Sequence, residues 1–414
     1  MVNQLKSALS IAFLLAFKIA FTQDSLVYVD GSKYYGPLSN GQPNGKGKII
    51  FTDGSSYEGD FVNNTRTGKG TSKWNNGDSY TGDFISNVRT GSGTYKYKTG
   101  EIYIGQFLNN TFEGTGTFTY TDGSNYTGSW KNNLHEGKGK EAWPDQSFYE
   151  GDFVNGEREG NGTFHYADGS IYIGQWKKGE QHGKGTLNWN GGDTYEGDWI
   201  VGKKDGSGTL KYKSGEVYNG QFSKDVQNGE GTYKMLDGSI FIGTFANGKV
   251  NGFGKMTYAD GAIYEGNWVD DIWNGQGKYT WINGDTHNGN YKNGKKDGPG
   301  VYKWAEGSEM TCTYLNDAQI GKCTIKYKNG NVFEGNAENG ILTGTGTMKY
   351  SEGSVYVGEW KNDNLNGKGI LTWSSGDKYE GDWVNGKMEG LGRFTYKNGT
   401  IQEGEYKNNQ YVTK

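Results

Sequence analysis

The sequence predicts an all-β protein, an elongated single-layer solenoid or ribbon of stacked antiparallel β-hairpins. Three observations carry that prediction. First, 72 of the 414 residues are glycine and 61 are aromatic, against only four prolines. Glycine is thus more than twice its usual share of about 7%; the aromatics exclude a disordered glycine linker, and no Gly-X-Y triplet supports collagen. Second, a Tyr-x-Gly-x-aromatic motif recurs every 23 residues, from Tyr34 through Tyr57, Tyr80 and onward to Tyr379, giving sixteen units without an insertion or deletion. Third, dipeptides that favour turns fall at two fixed places in each unit, such as Asn155-Gly156 and Asp168-Gly169.

The elements follow in order. Residues 1–22 hold Lys6, an apolar run from Ala8 to Phe17, Lys18 and no acid, the pattern of a cleaved secretory signal peptide. The run is about half a membrane span, and Lys18 interrupts it. Export follows as an expectation, to an extracellular, cell-surface or periplasmic place, with a formal charge moving from −4 to −6 on cleavage. Residues 23–33 read as an N-terminal capping strand, because Leu26, Tyr28 and Asp30-Gly31 keep the register of the later second strands. Residues 34–401 are the sixteen repeats. Residues 402–414 read as a C-terminal half-repeat cap, a lone first strand around Tyr406.

Within a repeat, let the leading Tyr be offset 0. Glycine fills offset 11 in all sixteen units and offsets 2, 13 and 20 in fifteen each, which accounts for 61 of the 72. Aromatics fill offsets 0 and 4 in fourteen units and offset 17 in fifteen. Side chains alternate along a strand, so offsets 0, 2 and 4 share one face, as do 13, 15 and 17. The Asn-Gly, Asn-Asn or Asn-Asp pairs at offsets 6 and 7 tolerate positive φ and read as hairpin tips. Glycines at offsets 11 and 20 read as turn residues, and those at 2 and 13 as room for rings. Acids at offsets 1 and 3 face Lys and Thr at 12, 14 and 16, which cross-strand pairing explains without a ligand.

Two stretches carry a family likeness. Tyr-Glu-Gly-Asp-Phe-Val-Asn-Gly-Glu-Arg-Glu-Gly-Asn-Gly, Tyr149–Gly162, and its counterpart Tyr379–Gly392 resemble the MORN repeat, and the likeness extends over everything after the leader. Similar arrays occur in junctophilins, in radial-spoke scaffolds and beside the catalytic domains of some phosphatidylinositol-phosphate kinases. The resemblance implies a hairpin ribbon engaged in protein assembly or phospholipid contact. It implies no catalysis, since no kinase-like segment is left once the repeats are counted.

Nothing else in the chain points to chemistry. Gly179–Thr186 is one residue short of a phosphate loop and lacks a following helix. Lys292, Lys295 and Lys296 read as a solvated loop, and the mild net charge argues against nucleic acid. Five Asn-x-Ser/Thr sequons occur, at Asn63, Asn109, Asn125, Asn161 and Asn398. No enzyme, cofactor or metal site is expected. The expected function is a non-enzymatic exported scaffold for protein partners or membrane lipid headgroups; a secreted carbohydrate- or cell-surface-binding array is the alternative, and homo-oligomerisation stays open. The candidate binding face is Tyr57, Phe61, Trp74, Trp130, Trp176, Trp199, Trp268, Trp360 and Trp383. The only two cysteines, Cys312 and Cys323, replace the offset-2 and offset-13 glycines of repeat 13 and are a candidate disulfide.

Overall fold

A computed structural model describes residues 25–413. The signal-peptide expectation for 1–22 lies outside the described residues, as do Gln23 and Asp24. The chain divides into two compact bodies: residues up to Gly169 with Gln175–Glu180, and Ser170–Gly174 with Gln181 onward. Each is built only of strands and turns, with no helix among the described residues. Repeat 2 sets the pattern: a first strand Ser56–Val62, a tip, and a second strand Thr65–Lys73. That second strand pairs onward with Ser79–Ile85 of repeat 3, so hairpins stack edge to edge in antiparallel order.

The tips are two-residue turns with both φ positive, as at Asn63 (45°) and Asn64 (64°), the twist that suits a hairpin. The turn between repeats is a tight loop in which Gly54 N–H donates to Phe51 O, and Asp53 accepts from the Ser55 backbone and hydroxyl.

The offset-11 glycine is not in a turn. It sits inside the second strand with φ of 67° at Gly68, at a β-bulge. Counted from the tip, a regular ladder would set offset 2 against offset 11. The bulge inserts two residues, so Phe61 faces Arg66 while Gly59 faces Gly70. Offset-3 side chains close the gap this leaves: Asp60 accepts from Lys69 N–H at 3.1 Å and Gln106 from Thr115 N–H at 2.9 Å.

The first and last units deviate from this pattern. Repeat 1 breaks into short pieces, Lys33–Tyr35, Leu38–Ser39 and Gln42–Pro43. After the Ile401–Lys407 strand the chain is not single: Gln410–Tyr411 folds back to pair with it, and the Tyr411 ring lies over Gly404.

Candidate functional site

The core of twelve of the sixteen repeats is a tyrosine lying flat on two glycines, and Phe241, His287, Met310 and Phe333 take its place in the others. Tyr57 is fully buried, and a Cβ built on Gly59 or Gly70 would run into its ring or into the facing backbone. Its hydroxyl donates to Asp60 O at 3.1 Å. The offset-4 rings stand edge-on to these tyrosines. Phe61 meets Tyr57 at 5.1 Å and 85°, and Phe84 of the next repeat meets it at 5.0 Å and 81°. Each such pair adds about 0.5–1.5 kcal/mol beyond the area it buries. Where offset 4 is tryptophan, its indole N–H also donates to the offset-13 carbonyl of the preceding repeat, as Trp199 does to Gly185 O. Burial pushes the Tyr57 and Tyr80 phenols up to about 12.

A further column, offset 9, covers these tyrosines and escaped the sequence reading because its occupants share no chemistry. Phe112 stacks on Tyr103 at 3.8 Å, His135 on Tyr126 at 3.6 Å and Trp273 on Tyr264 at 4.2 Å. In five repeats the residue is a cation, such as Arg66 over Tyr57, Arg89 over Tyr80 and Lys204 over Tyr195, and in the remaining ones it is Pro, Gln, Val, Leu or Met. Arg89 has the rings of Trp74, Tyr95 and Phe107 within 5.9 Å as well. Burial holds Arg66, Lys204 and Lys296 below the ordinary range for their groups.

The geometry corrects the expected binding face. Tyr57, Phe61, Trp130, Trp176, Trp199, Trp268, Trp360 and Trp383 are all buried, because the edge-to-face ladder and the offset-9 covers shut them from solvent. They hold the repeat together and present no surface to a partner. Trp74 alone of the nine is half-buried, and it belongs to the column that does reach solvent. No offset-17 ring is buried, including Tyr97, Tyr120, Trp143, Trp189 and Trp373. Offset-15 rings link them, so that Tyr95, Tyr97, Phe118 and Tyr120 run in series with centroids 4.6, 6.0 and 4.7 Å apart. In the N-terminal body this row walls an open cleft of about 670 Å³ that also includes Arg89, Phe112 and His135.

The opposite face carries the charge pairs. Lys69–Asp83, Lys138–Asp152 and Lys368–Asp382 each close to 2.6 Å between adjacent repeats. The lysines are exposed, so each pair is worth about 0–1 kcal/mol.

Two histidines sit inside the first face. His287 replaces the leading tyrosine of repeat 12; its Nδ1 meets the Tyr291 hydroxyl at 2.8 Å and its Nε2 has no partner. Burial lowers both His287 and His135 to about 4. His135 is therefore neutral at physiological pH, and its 3.8 Å approach to Glu141 is no ion pair there. In repeat 13 the sulfurs of Cys312 and Cys323 are bonded, with Cα atoms 4.6 Å apart. Among the described residues no cluster of His, Cys, Asp or Glu could hold a metal, and no helix is long and apolar enough to cross a membrane.

This is a repeat protein whose units fold as single hairpins, most of them around a tyrosine on two glycines. The MORN-repeat model matches fourteen of them, residues 34–309 as twelve consecutive windows and 356–401 as two, so the chain belongs to the MORN-repeat family. Between the two matched stretches, residues 310–355 are the repeats with Met310, the cysteines and Ala337. Repeats of this family point to a scaffold, often one that binds membranes or proteins. A search of curated proteins returns no match. Among solved structures, the TCP10 domain of Danio rerio CPAP is 10% identical, with 53% of this chain and 99% of that one covered, at a TM-score of 0.31. The SAS-4 TCP domain of Drosophila melanogaster, in complex with a proline-rich motif of Ana2, is 17% identical over 42% and 84%, at 0.24. Likenesses at these TM-scores assign neither fold detail nor ligand.

Proposed function

We propose that this chain is a non-enzymatic, exported MORN scaffold that holds protein or membrane-phospholipid partners along its offset-17 ring row. One observation carries the reading. The rings of offsets 0 and 4 are consumed by the core, while the offset-17 column is aromatic in fifteen of sixteen repeats and reaches solvent throughout. A row with one ring per repeat lets weak contacts add along the array. Export rests on the leader at 1–22 and is checked by sequencing the N-terminus of the protein recovered outside the cell. An unprocessed N-terminus would end that part of the reading.

The contact surface is tested by substituting Trp143, Trp189, Trp281 and Trp373 with alanine together. Retention on phosphatidylserine vesicles, or capture of a purified partner, should fall while the far-ultraviolet spectrum is kept. Unchanged retention by the folded variant would remove the ring row from the proposal. Exposed indole faces also stack on sugar rings, which makes a cell-surface glycan the second reading. A glycan array distinguishes it.

A further inference from the structure

We propose that the cleft of repeats 3–6 takes a proline-rich, acidic peptide in the extended polyproline II form. The inference rests on the ring-row reading above and selects protein over lipid as the occupant.

The spacing is the first argument. One offset-17 ring is presented for every two strands, and strands lie about 4.8 Å apart, so the row repeats every ~9.6 Å. A polyproline II helix completes three residues in about 9.3 Å, so one of its ridges meets a ring at every repeat. The mismatch is only ~0.3 Å between Tyr97 and Tyr120, the two offset-17 rings that line the cleft.

Hydrogen-bonding capacity is the second. The backbone beneath the rings is spent on strand pairing on both sides, so a ligand lying there cannot join as another strand. The wall instead offers donors. Asn110 Oδ1 already accepts from Arg89 N–H at 2.9 Å and Asn133 Oδ1 from Phe112 N–H at 2.7 Å, which leaves their amide nitrogens as the polar atoms for a ligand. A proline-rich segment is rich in free carbonyls and poor in N–H groups, the complement of that wall.

Charge is the third. Three of the four arginines in the sequence, Arg66, Arg89 and Arg158, occupy offset 9 in the N-terminal body. Arg89 lines the cleft, held by Asn110 through Nε and Nη2. The nearby Asp78 carboxylate is already engaged by Lys98 N–H and the Tyr95 hydroxyl. Arg89, the one cation lining the cleft, is the group an acidic residue between the prolines would meet.

The test uses the full chain and a fluorescein-labelled peptide of four Pro-Pro-Glu turns, read by anisotropy. A Pro→Ala peptide of equal charge and a Glu→Lys peptide should each bind about tenfold more weakly or worse. The Y97A/Y120A variant should lose a similar factor, and Lys368→Ala, on the opposite face, should lose none. Arg89→Gln should abolish only the preference for Glu over Lys, which keeps the test valid if the tyrosine variant is poorly folded. Equal binding of the Pro→Ala peptide overturns the proposal. So does failure of the acidic proline peptide while vesicles or another partner still depend on the ring row; that outcome leaves the scaffold reading standing. Failure of every probe at the ring row would overturn both.

Discussion

Repeat 8, opening at Tyr195, and repeat 13, opening at Met310, lie in the same body and fill the same frame by different means. In repeat 8 a fully buried phenol covers Gly197 and Gly208, donates to Asp198 O at 2.9 Å and is edged by Trp199 at 5.4 Å. In repeat 13 the glycines have become bonded cysteines and the ring has become Met310. Gln319 Nε2 turns inward to Met310 Sδ at 3.4 Å and Cys312 Sγ at 3.7 Å. Strand pairing survives, with Met310 opposite Ile325 and Tyr314 opposite Gln319. What the frame requires is therefore a filled volume between paired strands, and more than one chemistry supplies it. The family model passes over this repeat and the one that follows it.

Substitutions can break this equivalence, with amide exchange read repeat by repeat because each hairpin contacts only its neighbours. The largest effect is expected from Tyr195→Ala, which empties a packed ring site and should cost about 3–5 kcal/mol locally. Met310→Ala should cost less, about 2 kcal/mol, since the cross-link still holds the strands; an equal cost would mean that the cross-link does not stand in for the ring. Next, Cys312→Ala with Cys323→Ala should release about 2–3 kcal/mol from repeat 13 alone. The triple change Met310→Tyr, Cys312→Gly and Cys323→Gly, which writes the common pattern into repeat 13, should recover most of it, and no recovery would refute the shared-volume account. Gly208→Ala, whose Cβ would collide with the Tyr195 ring, should cost about 1–3 kcal/mol.

The smallest effect concerns repeat 12 and pH. The folded protein keeps His287 neutral down to about 4, while the unfolded chain protonates near 6.5, so unfolding takes up a proton between those values. Stability should therefore be full above pH 6.5 and fall toward pH 4. The loss attributable to His287 should be on the order of 1–2 kcal/mol, allowing for solvent screening. The groups around it are Lys296, Asp317, Tyr291 and Tyr314, of which the lysine and the two phenols keep their charge state across that window. His287→Tyr should remove the slope in repeat 12 and leave that of His135 untouched; a slope unchanged in repeat 12 would assign it to other groups.

The columns of Tyr34 and Gly59, the Asn63-Asn64 tip and the Asp53-Gly54 turn could be read from sequence because the same residue type recurs at the same offset. The bulge at Gly68 could not, since positive φ fits a turn and a bulge equally well and only the cross-strand register separates them. The covers at offset 9 were hidden for a different reason. Arg66, Phe112, His135 and Trp273 share breadth and flatness rather than polarity, and a search by residue class cannot see shape. The buried state of Trp199 and Trp383 depended on those covers, so the expected binding face failed with them. The solvent-reaching row at Trp74, Tyr97 and Tyr120 was counted correctly but could not be told from the core until the second strand was placed.

The unbroken 23-residue period has a consequence for how such a chain changes length. Across the regular repeats each first strand meets the same partners on both sides, down to the tip, where offset 7 of one hairpin docks on offset 9 of the previous one, as Asn87 does on Arg66; the broken first repeat and the junction of repeats 13 and 14, paired only over Cys323–Lys326, are exceptions. Excising 23 consecutive residues among the regular repeats rejoins like to like, so recombination there can shorten or extend the array by whole hairpins without creating a new kind of interface. A loss of one residue within a strand would instead turn every following side chain to the wrong face.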